Sequence, residues 1–335
     1  MQLTSVGDLS RSFSLKRETA ELKAAVDRLS REVTTGRTQD VPKAVRGDFL
    51  PLSGIERTIR TYGAYQSSAG EAGVFVETAQ RALDTVQEFV TRSGSSLMSV
   101  SSAGDASTFS TVTGEARQNL ESVISALNVQ VGGRTVFAGT ATSGAALLDA
   151  DAMMTDIAAA VVGLTTATDV VDAIDDWFEQ PGGSFETIGY LGSTTALLPF
   201  QLAPGTTARF TATAADAQLR DVLKGLALGA VLDGNSLALT SEEQRELIRT
   251  AGEALLGADK DLALYRSGIG TAEAQIANAV ARNSAEISAL ELVRADILGV
   301  DQYAAASDLE SVAAQLETLY ALTARTSGLS LVNFL

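Results

Sequence analysis

The chain contains neither cysteine nor histidine among its 335 residues. Without cysteine it has no disulfide framework and no thiolate metal site. Without histidine it lacks the commonest metal ligand, the usual general base and every Ser–His or Cys–His nucleophile pair. The sequence therefore predicts no catalytic residue, no metal site and no cofactor. An extracellular enzyme that relies on carboxylates of the middle region remains the alternative from another functional class.

Long apolar runs are also missing. No uninterrupted stretch of about 18 apolar residues occurs, so we expect no membrane insertion. The first 14 residues are polar and rich in serine, with no apolar core and no small-residue cleavage site. We therefore expect no signal peptide of the Sec type.

Positive charge is scarce. The chain has 41 acidic and 25 basic residues, a formal net charge of -16. Nucleic acid is therefore not an expected partner, because phosphate binding needs clustered lysine and arginine. Between Asp149 and Asp216 the only basic residue is Arg209. This asymmetry predicts an acidic, solvated middle domain between nearly neutral ends.

Apolar residues recur every seven positions near both ends of the sequence. The first repeat comprises Leu15, Leu22, Val26, Leu29 and Val33. The second comprises Ile269, Ile276, Val280, Ile287, Leu290 and Ile297. Beyond it, a further apolar run repeats at three- and four-residue steps and comprises Tyr303, Leu309, Val312, Leu316 and Leu319. A seven-residue repeat keeps an apolar seam against a partner helix and predicts left-handed helix packing. The two seams can close on one another or on neighbouring subunits.

Between the repeats the periodicity changes. Helices are predicted at about 8–35, 54–100 and 109–131, and a short helix at 169–178. A strand is predicted at 134–139 after the Gly132-Gly133 turn, and β-structure at 190–213. Helical pattern returns near Asp216, and Thr240 to Glu243 fits a capping box that begins another helix. The predicted fold is mainly α, with long antiparallel coiled-coil helices from both termini forming a bundle and a small β-rich domain inserted in the middle.

This pattern also predicts a domain organisation. The segments are an N-terminal coiled-coil assembly segment at 1–40, the first half of a helical core domain at 41–140, an inserted acidic β-rich domain at 141–215, the second half of the core domain at 216–300 and a C-terminal coiled-coil assembly segment at 301–335.

Two polar features in this plan have competing interpretations. Asn283 interrupts the second repeat, where it either fixes the register of the seam or occupies a tolerated surface position. The acidic cluster Asp172, Asp175, Asp176 and Glu179 invites a calcium hypothesis. Its spacing does not match the alternating ligands of an EF-hand loop, so we predict a solvated helix face instead.

Four stretches resemble the flagellin superfamily of bacterial axial proteins. Leu29–Gly36 resembles the end of the family's first helix, and Val131–Thr140 resembles its "Tyr-x-Phe-x-Gly" strand, with Val136 in place of the aromatic residue. Tyr190-Leu191-Gly192 resembles an element of the middle domain. The final seven residues, 329–335, are most similar to those of the hook-filament junction proteins. The loop after the first helix departs from the family, because Pro42, Gly47 and Pro51 replace its usual Asp-Pro.

The resemblance implies a structural component of the bacterial flagellum, located outside the cell, with flagellin itself as the alternative. It implies export through the flagellar type III apparatus and terminal segments that fold only on assembly. The implied partners are further copies of the chain, the proximal junction protein on the hook side, flagellin or the filament cap on the far side, and an export chaperone.

We expect the assembly interface to use apolar residues of both termini. The predicted set is Leu15, Leu22, Val26, Leu29, Val33, Leu309, Val312, Leu316, Leu319, Leu331, Phe334 and Leu335. From the residues alone, an intramolecular bundle core is the better explanation of the first five. The resemblance favours an interface between subunits, since family members use both terminal helices in a shared tube.

Overall fold

The computed structural model describes residues 6–103, 106–234 and 237–332. Helices dominate these residues. They are α1 (Val6–Thr35), α2 (Val41–Ala44), α3 (Leu50–Ala103), α4 (Ala106–Leu127), α5 (Ala150–Ala160), α6 (Ala167–Glu179), α7 (Ala217–Ala230), α8 (Ser241–Leu298) and α9 (Gln302–Val332). The mainly α fold with a small β insertion is therefore confirmed. Across the described residues, no helix has the length and apolarity to cross a membrane.

The β-structure consists of two small antiparallel hairpins. The first joins β1 (Gln130–Val131) to β2 (Arg134–Thr135). The second joins β3 (Phe200–Ala203) to β4 (Thr206–Ala208), with an irregularity between Gln201 and Ala203.

The chain forms two compact units. The terminal unit comprises Met1–Gly63 and Ala285–Leu335, and the central unit comprises Ala64–Ser284. The long helices α3 and α8 contribute residues to both units.

In the terminal unit, α1 packs against α9 in an antiparallel pair. Gly36 ends α1 with a positive φ of 66°, and its N–H donates to the carbonyl of Glu32 at 2.8 Å. Only glycine adopts this left-handed conformation without a steric cost. The residues after α1 then form backbone hydrogen bonds with the short segment between α8 and α9. The N–H of Thr38 donates to the carbonyl of Leu298 (2.8 Å), and the N–H of Val300 donates to the carbonyl of Gly36 (3.1 Å). This short bridge holds the end of α1 beside the start of α9.

The central unit is a helical bundle with a continuous apolar core. Helices α3, α4, α7 and α8 contribute most of it, and small residues allow close approach between them. A Cβ atom on Gly225 of α7 would lie 2.7 Å from the side chain of Leu255, and one on Gly252 of α8 would lie 2.9 Å from Met98. These distances are too short for any side chain, so glycine sets the helix spacing at both positions.

The middle of the central unit packs onto this bundle around aromatic rings. Trp177 and Phe178 of α6 contact each other with centroids 4.6 Å apart, and Phe185 lies 5.5 Å from Phe178. The rings of Phe75 in α3 and Phe210 meet edge to face at 5.2 Å. Such edge-to-face pairs match the charge distribution of aromatic rings.

The structure differs from the sequence prediction in this region. The predicted strand at 134–139 ends at Thr135, because the chain turns inward and buries Val136, Phe137 and Ala138 completely. Helix α5 was not predicted, since its eleven alanine-rich residues give only a weak helical period. The capping box at Thr240 is half formed. Thr240 Oγ1 accepts from the N–H of Glu243 (3.3 Å), but the Glu243 carboxylate accepts from the N–H of Ala167 in α6 instead.

Asn283 does not occupy a surface position, and its role in fixing the register of the seam remains a prediction. It is 1% exposed, and its Nδ2 donates to the carbonyl of Leu202 in β3 at 2.8 Å. The amide therefore attaches the second hairpin to α8. A buried polar group of this kind is stable only because its hydrogen bond replaces those to water.

Replacing Asn283 with leucine is expected to destabilise the central unit by about 2 kcal/mol, because the carbonyl of Leu202 loses its donor in a buried site. The measurement is chemical denaturation followed by tryptophan fluorescence. The adjacent, exposed Ser284 provides the control as Ser284→Ala, for which we expect no change. Equal midpoints for the two variants would show that this hydrogen bond is unimportant.

Candidate assembly surface

The predicted seam of α1 lies on the face that packs in the helix pair. Leu29 is buried at 5% exposure, and the other four predicted residues, Leu15, Leu22, Val26 and Val33, are half-buried. The seven-residue repeat is therefore used at least partly within the chain.

The predicted seam of α9 has the same character. Leu319 is buried, whereas Leu309, Val312 and Leu316 are half-buried. Leu331 belongs to α9, but its side chain is outside the described part of the structure, and so are Phe334 and Leu335. The structure brings the two seams together, and the assembly role of these residues remains a prediction.

A buried carboxylate fixes the end of the helix pair. Glu32 is 5% exposed, and its Oε1 accepts from the N–H of Gln39 (2.9 Å) and from Thr38 Oγ1 (3.4 Å). Arg28 Nη1 approaches the other oxygen at 3.4 Å. Glu32 therefore holds the loop that pairs with the α8–α9 break. Sequence reasoning missed this residue, because its partners become neighbours only when the loop folds back.

The terminal unit has a very small apolar core. Among its described residues, the buried apolar side chains are Leu29, Leu52, Ala305 and Leu319. It also exposes large apolar side chains at Phe13, Phe49, Leu50, Leu292, Val293, Tyr303, Tyr320 and Leu322. Tyr303 and Leu50 are 86% and 80% exposed. These exposed apolar side chains are the candidates for contacts with other proteins in the terminal unit.

The central unit shows the opposite balance. Its core includes completely buried side chains on every major helix, such as Leu83, Leu120, Leu223 and Leu255. The central unit therefore has a large apolar core of its own, whereas the terminal unit leaves more of its large apolar residues exposed. The sequence signal for this difference is the placement of the sparse aromatics Phe13 and Phe49 outside the seams. Tyr303 was expected within the apolar run of α9, but it is exposed.

The acidic cluster of α6 has a structural explanation. Lys224 of α7 forms ion pairs with Glu179 and with Asp175 (3.2 Å), and a third carboxylate, Asp221, lies at 3.6 Å. Burial opposes the charge on Lys224, but the bonds to Glu179 and Asp175 outweigh it and raise the pKa of this amine above its usual value. The cluster thus joins α6 to α7. No group of acidic residues within the described ranges has a geometry suited to a metal ion.

Tyr190 anchors the middle region, where the sequence resembled a family element. Its hydroxyl donates to the carbonyl of Ser193 at 2.9 Å, and the residue is 7% exposed. Burial raises the pKa of this phenol to about 12, because the ionised form would lose its hydration.

This raised pKa predicts a loss of stability at alkaline pH. The unfolded chain releases the Tyr190 proton near pH 10 and the folded chain near 12, so the contribution is present below pH 10 and is lost as the pH rises to 12. Tyr190→Phe should lose less stability over this interval than the unchanged chain, as measured by denaturation at pH 9, 10, 11 and 12. The exposed Tyr303 provides the control as Tyr303→Phe, and an identical pH dependence for all three proteins would contradict the prediction.

One family model matches the C-terminal region of the chain. It describes the bacterial flagellin C-terminal helical region and covers residues 253–335, which include most of α8 and all of α9. Among curated proteins, no significant match exists.

The fold also resembles solved structures. One of these is provisionally described as a flagellar hook-associated protein from Vibrio parahaemolyticus. It shares 16% sequence identity with the chain, and the match has a TM-score of 0.53 and covers 75% of this chain and 99% of that one. At this identity the likeness concerns the fold. Together with the family match, it points to a structural component of a flagellum.

Proposed function

We propose that the protein is a hook-filament junction protein of the flagellin superfamily, because residues 253–335 match the model of flagellin C-terminal helices and 75% of the chain resembles in fold a structure provisionally described as a hook-associated protein. It forms a short layer that joins the hook, through the proximal junction protein, to the flagellin filament. The closing residues 329–335 support this choice, because they resemble the junction proteins rather than flagellins.

The observation that carries the structural role is the imbalance within the terminal unit. Its helices bury few apolar side chains and expose many, including Phe13 and Tyr303. A helix pair with so little core gains most of its stability from further packing. Neighbouring copies supply that packing when the layer forms.

Self-assembly follows from the same surfaces. Contacts between different faces of identical subunits generate rings or helical arrays, according to whether the rotation closes. The further partners we propose are the proximal junction protein, flagellin or the filament cap, and an export chaperone. Export through the flagellar type III apparatus, without a Sec signal, belongs to the same proposal.

Flagellin is the second candidate function, because the matching family model is that of flagellin C-terminal helices. The two functions differ in the extent of polymerisation. Purified flagellin grows long filaments, whereas a junction protein stops after a short layer. Electron microscopy of the purified chain, incubated with hook fragments, therefore separates them, and long filaments made of this chain would exclude the junction role.

Deleting the gene in its own bacterium tests the proposal directly. We expect hooks without filaments and flagellin released into the medium, since flagellin is still exported but has no layer on which to polymerise. Returning the full chain should restore filaments. Filaments on the mutant hooks would refute the proposal, and missing filaments without any released flagellin would identify the chain as flagellin.

A further inference from the structure

The middle of this acidic chain includes a long stretch without charge. No acidic or basic residue occurs from Thr187 to Ala208, although charged residues make up 20% of the sequence. This stretch contains both strands of the β3–β4 hairpin and the segment before it. Copies of a chain with a net charge of -16 repel one another, so an uncharged surface is where close approach costs least.

The hairpin is open at one end. Its last pair is Phe200 with Ala208, and Pro199 precedes it. Proline has no N–H to donate, so the ladder cannot continue through this position. Two segments therefore extend beyond the paired strands. We call Ala196–Leu198 the leading arm and Arg209–Ala212 the trailing arm.

Neither arm forms backbone hydrogen bonds with the described residues. In the trailing arm Phe210 and Ala212 are buried while Arg209 and Thr211 are exposed, an alternation typical of an extended strand. Backbone groups in proteins are nearly always paired once they are buried. The unpaired backbone of the trailing arm is therefore a strand edge to which another strand can add.

A groove of about 320 Å³ lies between the trailing arm and α8. Leu264, Ile269 and Ala272 of α8 form its apolar side, and Leu264 is 73% exposed. Tyr265 closes the groove from below, where its hydroxyl donates to Asp216 at 2.5 Å. Arg209 lines the groove and forms no ion pair with any residue that the structure describes.

The leading arm has an apolar, uncharged sequence that suits this groove. Leu198 is 84% exposed, which is extreme for a leucine, and it follows Ala196 and Leu197 in a segment without charge. Such a segment enters an apolar groove without removing a charge from water. Its unpaired backbone groups match those of a strand edge.

We propose that the leading arm of one copy adds as a strand to the trailing arm of a second copy and places Leu198 in the groove beside Leu264. This is strand addition, in which backbone hydrogen bonds give affinity and one side-chain pocket gives selectivity. Arg209 then faces the acidic middle of the neighbouring copy. The two surfaces differ, so the contact is heterologous and repeats from copy to copy. The inference rests on the proposed self-assembly and identifies one contact between copies, which is formed by their central units.

Disulfide trapping between full-length copies tests the contact. The chain has no cysteine, so each single variant carries one thiol. Copies with Leu198→Cys and one affinity tag are mixed with copies with Leu264→Cys and another tag, assembled on hooks and oxidised. Because each copy holds a single cysteine, a bond within one chain is impossible. A disulfide needs Cα atoms within about 7 Å, which makes the readout specific.

The control replaces the second partner with Val162→Cys, which is equally exposed at 75% but lies elsewhere on the central unit. We expect a product carrying both tags at least tenfold more abundant for the 198–264 pair than for the 198–162 pair. Equal yields, or no 198–264 product in layers that do form, would overturn the inference. A product joined to a different protein would overturn the second copy as the occupant.

A variant without cysteine gives an independent readout. Leu198→Asp should weaken self-association about tenfold in sedimentation experiments, whereas Thr194→Asp, which adds the same charge at an exposed position nearby, should not. Equal effects would also count against the contact. Neither result depends on where the protein lies in the flagellum. The deletion experiment therefore tests the junction role, and these two experiments test the contact between copies, independently of each other.

Discussion

Replacing Leu29 with aspartate is expected to abolish the swimming of a strain that carries only this variant. Leu29 is one of four buried apolar residues described in the terminal unit, and it lies in the seam where α1 packs against α9. A carboxylate there is buried without a partner, which costs about 3 kcal/mol or more. A unit with so small a core cannot absorb that loss, so the helix pair should separate.

Hydrogen exchange in the presence of hooks measures the separation, because the backbone amides of α1 should become protected in the unchanged chain as it assembles and stay unprotected in the variant. The control is Ser30→Asp, which adds the same charge to the next residue on the exposed face of α1. We expect this control to swim and to become protected as it assembles. Normal motility of the Leu29→Asp strain would show that the seam is not needed for assembly.

The second large effect is expected for Gly139→Ala in the central unit. Gly139 has a positive φ of 57°, and a Cβ atom there would lie 1.9 Å from the carbonyl oxygen of Ser193 and 2.6 Å from that of Thr195. Both neighbours are backbone atoms that cannot rotate away. Strain in two segments at once should cost about 4 kcal/mol and lower the midpoint of thermal unfolding by about 10 °C.

Gly144→Ala is the matched control for this substitution. Gly144 lies in the same loop region, its φ is not positive, and a Cβ atom there would meet no other atom within 4 Å. Its replacement should leave the midpoint within about 1 °C. If the two variants unfolded at the same temperature, the close approach at Gly139 would be of no consequence.

Most of the helices other than α5 were predictable from the sequence because their signals are local. The repeat through Leu15, Leu22 and Leu29 fixes both the helix and the face that packs. Gly36 ends α1 as predicted, since a positive φ after a helix requires glycine or a rare exception. The predicted helix at 169–178 likewise corresponds to α6.

Long-range polar contacts were not predictable. Glu32 reads as one more acid on a charged helix, and its burial depends on a loop that folds back over it. Asn283 reads as a defect in a repeat, although its partner Leu202 is 81 positions away in the chain. The two arms of the second hairpin were not predictable for the same reason. Pro199 ends the pairing of β3 with β4, but the sequence indicates only that β-structure lies within 190–213 and not which residues pair.

The bridge between the end of α1 and the start of α9 has a kinetic consequence. The bond from Gln302 Nε2 to the carbonyl of Val33 joins residues 269 positions apart. Contacts of such separation form late, because a long loop must close first. A chain made from its amino end must hold α1 unpaired until almost all later residues exist. Copies that stop before Leu298 never close the bridge, so the pairing of α1 with α9 requires almost the whole chain.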